Sequence, residues 1–165
     1  MWPFRRNRPP PARPPAQRVL SFLAPDEVQA LGHLPGPAIL GVYDGPTDSL
    51  ESFRPNRTFV ELLHRVVVEV GVRSPELAAG ARTQGEGWLY VIDPRTPEGA
   101  DGRVGPEDII GAFEVRGGQL VPGSYQPSEH YRVLTENGMT RLTPAQREAF
   151  VAALPRARGT TAGGS

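Results

Sequence analysis

The sequence predicts an α+β domain, an antiparallel meander of three to five strands with helices packed on one face. Three observations carry this. Helical segments precede a strand-rich middle and one follows it, an order of segregated rather than alternating elements. The turn pairs Gly117-Gly118 and Asn137-Gly138 punctuate that middle as two-residue hairpin connections do. The two best-coded helices, 57–70 and the one opening at Thr143, lie on either side of it.

The elements follow in order. Residues 1–18, MWPFRRNRPPPARPPAQR, form a basic, proline-rich arm. Prolines at 3, 9, 10, 11, 14 and 15 remove donors and fix φ, which leaves polyproline II or disorder. The folded body is expected over 19–155 and a flexible tail over 156–165. Pro25, Asp26 and Glu27 open a short helix that Gly32 and Pro35 stop. Ile39, Leu40, Val42 and Tyr43 read as a strand, and 45–58 as a loop. Over 57–70, Phe59, Leu62, Leu63, Val66 and Val70 form one apolar stripe, widened by Val60 and Val67. Glu61–Arg65 and Arg65–Glu69 are i, i+4 pairs on the other face, and His64 stands on the flank.

Ser74 with Pro75 starts a further helix, to about 82. Trp88 to Asp93 is a strand of aromatic and β-branched residues. Residues 94–108 read as a surface loop. In 109–116, Ile109, Phe113 and Val115 are expected on one side around Gly111, with Glu114 and Arg116 on the other. A return strand ends at Pro122-Gly123. Residues 130–135 are expected as a strand with His130, Arg132 and Leu134 on one face and Tyr131, Val133 and Thr135 on the other. Thr143-Pro144-Ala145-Gln146 is a capping box, and the helix behind it buries Ala149, Phe150, Ala153 and Leu154 before Pro155.

Composition narrows the chemistry. The 165 residues contain no cysteine, which excludes disulfides, thiolate nucleophiles and cysteine-held zinc. No apolar run approaches the roughly 20 residues of a membrane span. The start of the chain lacks the apolar core of a secretory signal, so a soluble, cytoplasmic protein is expected. All 18 basic residues are arginine, as the codon usage of a GC-rich bacterial genome produces. Net charge is zero but unevenly placed. Eleven arginines and all 18 acids fall within 19–155, leaving that body seven charges negative between basic ends. An acidic body argues against nucleic acid as a partner.

No phosphate loop, dinucleotide fingerprint, HExxH or nucleophile elbow is present. His33, His64 and His130 lie in separate elements. Asp93, Glu98, Asp101, Glu107 and Asp108 offer oxygen ligands, with Asp93, Glu98 and Asp101 as metal candidates, but the spacing is not that of a calcium loop. A solvated acidic turn is the expected reading, with no metal and no cofactor. His130, Arg132, Tyr125 and Ser124 are the catalytic candidates: an acid/base, an anion holder and two hydroxyls from one stretch. Catalysis usually needs groups converging from several elements. Arg8, Pro11 and Pro14 match the basic-x-x-Pro-x-x-Pro spacing that aromatic grooves accept. Trp2, Phe4, Arg5 and Arg6 would suit a partner or an anionic membrane surface.

The sequence therefore predicts a small binding or accessory domain without catalytic activity, with a protein partner. The alternatives are an enzyme acting on a small anion through the His130, Arg132 and Tyr125 region, and a peripheral membrane adaptor acting through the arm.

Overall fold

Short apolar strands gather around one long amphipathic helix. The computed structural model describes residues 18–97 and 104–155, and these form a mixed fold of helices and antiparallel sheets. β1 (Arg18–Ser21), β2 (Ile39–Tyr43) and β3 (Phe53–Pro55) form one sheet in the order β1-β2-β3. The second sheet has β5 (Ile109–Arg116) at its centre. β4 (Gly87–Ile92) pairs along one side, while β6 (Gln119–Leu120) and β7 (Gln126–Pro127) share the other. β8 (Leu134–Thr135) and β9 (Gly138–Met139) make a small hairpin.

The four α-helices of the described residues arise where local codes place them. α1 spans Pro25–Leu31, and Gly32 ends it in the left-handed region. α2 spans Arg57–Gly71 and buries Phe59, Leu62, Leu63, Val66 and Val67. Asn56 caps α2 by accepting from the Thr58 N–H, while its amide donates to the carbonyls of Gly36 and Ile39. Ser74 caps α3 (Pro75–Gln84), and the Thr143–Gln146 box opens α4 (Pro144–Ala153).

The centre of the core is aromatic. Phe150 of α4 lies 5.2 Å from Phe59 of α2 and 5.1 Å, edge-on, from Phe22. α2 and α3 cover one face of the second sheet: Phe113 of β5 reaches Gly71, and Leu89 of β4 reaches Gly80. Gly117 and Gly118 both have positive φ, 54° and 74°, as the tight turn from β5 to β6 requires.

Three local expectations change. β3 lies inside the expected loop. Three residues are too few to show an alternating pattern, and their order comes from pairing with Gly41, Val42 and Tyr43 of β2. Only 134–135 of the expected 130–135 strand is extended into a ladder. The preceding backbone is held instead by the Glu107 carbonyl, which accepts from Arg132 N, and by the Arg95 guanidinium, which donates to the carbonyls of Arg132 and Val133. In β5, Ile110 rather than Ile109 is fully buried beside Phe113 and Val115, because the pairing register shifts between Val91 and Ile92.

Candidate functional site

The loop after β4 is anchored by a buried ion cluster. Arg95 is almost wholly enclosed, and every N–H of its guanidinium has a partner. Nε donates to Asp108 Oδ1 at 2.8 Å. One terminal nitrogen donates to the carbonyls of Val133 and Gly138, the other to those of Glu107 and Arg132. Asp93 is fully buried and accepts from the Arg95 and Arg141 backbone N–H groups and from the Tyr131 hydroxyl at 2.8 Å. Tyr131 is also 2.6 Å from the Thr140 hydroxyl. Burial pushes the Asp93 carboxyl above its ordinary range, opposed by those hydrogen bonds and by Arg95. Burial likewise pushes the Tyr131 phenol up.

This corrects the expectation of a solvated acidic turn. Asp93 and Asp108 are structural acids that hold Arg95, and Arg95 is no surface residue. Asp93 is committed to the cluster, Glu98 and Asp101 lie outside the described residues, and no group of metal-ligating side chains forms among those described.

The catalytic candidates are dispersed. Tyr125 turns inward over Gly111 and places its hydroxyl 2.7 Å from His64 Nδ1 on α2. Its ring packs 5.1 Å from Phe113. Burial lowers the His64 pKa and raises that of Tyr125, so both groups are held neutral. A hydrogen bond between a neutral phenol and a neutral imidazole is a tie between loop and helix. Ser124 is a turn residue whose hydroxyl donates to the Val121 carbonyl at 2.6 Å and accepts from Glu114 N. His130 and Arg132 are exposed and line a cleft of about 550 Å³ with Phe53, Val60, Glu107 and Glu129. His130 is thus brought near Arg132 but not to Tyr125 or Ser124. His33 is exposed, with its ring against the Leu31 carbonyl. Trp2, Phe4, Arg5 and Arg6 lie outside the described residues.

The second face of the β4–β5 sheet carries what the sequence reading passed over. Along β4, Leu89 and Val91 turn inward, while Trp88, Tyr90 and Ile92 point outward and remain 46%, 56% and 42% exposed. Beside them runs a groove of about 340 Å³, walled by Trp88, Tyr90, Ile109, Ala112 and Pro127. Pro106 and His130 line both this groove and the wider cleft, so the two adjoin at those residues. Large side chains at alternate positions of one strand form a contiguous apolar surface, which a protein rarely leaves in water without use for it. The signal was present in GWLYVID, apolar on both faces. Which face the helices cover was not written there.

No described helix is long and apolar enough to cross a membrane. No protein-family model, curated protein or solved structure matches the chain.

Proposed function

We propose that this chain is a non-catalytic protein-interaction domain that binds through the outer face of β4 and the groove beside it. The observation that carries the reading is the Trp88–Tyr90–Ile92 row, half in water on an edge strand. Tryptophan and tyrosine supply large, stiff contact area at low entropic cost, and such residues dominate binding energy at interfaces. The dispersal of His130, Tyr125 and Ser124 supports binding over acid/base catalysis, because their hydroxyl and imidazole groups point to different neighbours.

The reading is tested with the full chain carrying a photoreactive p-benzoylphenylalanine in place of Tyr90, expressed in its native host. A control carries the same group in place of Val72, an exposed residue that caps α2 at its C-terminal end. Illumination is expected to give discrete protein adducts from position 90 and none from position 72. Equal labelling from both positions, or none from 90, contradicts the proposal.

A further inference from the structure

β4 is a sheet edge with nothing on it to turn another strand away. We infer that β4 pairs antiparallel with β4 of a second copy of this chain, about a two-fold axis through Tyr90, and so joins two four-stranded sheets into one. This rests on the reading of β4 as a binding surface and names its partner.

The first observation is the edge itself. Among the described residues β5 is the one ladder partner of β4, and alternate backbone N–H and C=O groups of β4 point away from it. Charges, prolines, shortness and irregular register are what usually guard such an edge. The other edges of the described sheets have them. β1 carries Arg18 and a register shift between Leu20 and Ser21. β3 carries Arg54 and Pro55. β6, β7, β8 and β9 are two residues each, and β7 ends on Pro127. β4, GWLYVI, is six residues long with no charge and no proline. The shift in its pairing with β5 falls on the β5 side, where Ile110 is the extra residue, so β4 itself is regular.

The second is register. Residues directly opposite each other in an antiparallel pair point to the same face, so a two-fold self-pairing must be centred on a residue. Centred on Tyr90, it sets Tyr90 against Tyr90 of the second copy. Trp88 then meets Ile92 of the second copy on the outer face, and Leu89 meets Val91 of the second copy on the inner one. Both rows are apolar throughout. A strand that extends β4 must be apolar on both faces, and this chain supplies one. The second copy also brings its own α3, whose Gly80 lies against Leu89, to cover the inner row.

The third is charge. A body with a surplus of seven negative charges repels its own copy, except where two uncharged surfaces meet. β4 is such a surface, bounded by Glu86 and Asp93, and Asp93 is buried beside Arg95. The Tyr90 register sets Glu86 level with Pro94 of the second copy and puts no carboxylate directly opposite another. Centring on Val91 would set Leu89 against the buried Asp93, and centring on Leu89 would set Glu86 against Ile92. The register that matches the apolar rows is also the one that spares the charges.

The fourth is size and closure. Trp88 and Tyr90 each leave about half of a large aromatic surface in water, and Ile92 adds to it. With the edge backbone, two copies bury an area in the small class of interfaces, under about 1,200 Å². The dimer is therefore reversible, forming between about 1 µM and about 1 mM rather than as an obligate pair. A two-fold contact uses the edge once and closes, so the joined sheet does not grow into a fibre.

The chain has no cysteine, so a single introduced thiol reports on one position. Full-length Tyr90→Cys, Trp88→Cys and Val72→Cys are purified reduced, checked by chemical unfolding, and oxidised with glutathione disulfide at equal concentration. Opposed residues have Cα atoms about 4.5–5.5 Å apart, within disulfide reach, whereas position 88 lies roughly 13 Å along the strand from its own copy. Tyr90→Cys is expected to form a covalent dimer at least about tenfold faster than either of the others, because pairing concentrates its thiols. An equimolar mixture of Trp88→Cys and Ile92→Cys should give the mixed dimer ahead of both self-dimers. Sedimentation of the unaltered chain should show its mass rise from one chain to two between about 1 µM and about 1 mM. A chain that stays monomeric over that range overturns the inference. So do equal rates at positions 90 and 72, or a faster rate at 88 than at 90. Adducts from a photoreactive group at position 90 to a different protein, from a chain that stays monomeric, sink this inference and leave the binding-surface reading standing.

Discussion

Tyr125 and His64, sixty-one residues apart, meet at 2.7 Å beneath the sheet. The contact joins the loop before β7 to the flank of α2. It ties Tyr125, from the most polar part of the sheet region, to His64 on the helix. Tyr125 does not turn back toward His130. It turns through the space that Gly111 leaves open and closes the core.

The His64–Tyr125 tie makes stability depend on pH. Burial depresses the pKa of His64 in the folded state below its ordinary 6.5. The unfolded chain then binds the proton more readily. This contribution is fully present above the unfolded value and is lost as pH falls below it toward the folded value. Urea midpoints measured from about pH 7.5 to about pH 5.5 should fall, and His64→Gln should flatten that fall. Tyr125→Phe should cost about 0.5–1.5 kcal/mol at neutral pH by removing the hydroxyl from a half-buried ring nitrogen.

Gly111→Ala tests the packing of the same ring. A Cβ there would stand 2.4 Å from the Tyr125 hydroxyl and 2.5 Å from the carbon bearing it. The ring is wedged against Phe113 and His64 and cannot retreat. Overpacking of this kind should cost about 1–3 kcal/mol. Chemical denaturation measures it, and Gly111→Ala combined with Tyr125→Leu should recover part of the loss.

Arg95 is an exacting position. Its five N–H groups reach Asp108 and four carbonyls, and lysine offers one nitrogen for all of them. Arg95→Lys and Arg95→Met should each destabilise the fold by about 3–5 kcal/mol, since Asp93 and Asp108 stay buried with their cation displaced or gone. Amide exchange at Arg132, whose N–H is held by Glu107, should rise first.

Phe150→Ala removes the ring that bridges Phe22 and Phe59. A fall of about 3–5 kcal/mol in unfolding free energy is expected. Thermal or chemical unfolding checks it, and an effect near zero would mean that α4 is not part of the core.

The legible parts of the fold were those coded over short distances. The stripe of α2, the Ser74 and Thr143 caps and the Gly117-Gly118 turn are all patterns within a few residues, and each stands where the sequence placed it. What was illegible came from distant partners. β3 exists because β2 offers an edge, and 130–133 leaves the ladder because Arg95, some 37 residues earlier, takes its carbonyls. Asp93 and Asp108 look like surface turn acids until the arginine between them in sequence turns inward. The candidate site divides the same way. The alternation of Trp88, Tyr90 and Ile92 is plain in the sequence, but both faces of that strand are apolar. Only the position of α2 and α3 decides which face is core and which is left for a partner.

The most direct measurement of the binding-surface account pairs two readings on Trp88→Ser. One is the unfolding free energy of the full chain. The other is the yield of protein adducts from a photoreactive residue at position 90. The account predicts a loss of about 1 kcal/mol or less in stability and loss of the adducts. A drop of several kcal/mol with the adducts unchanged would make Trp88 a core residue and contradict it.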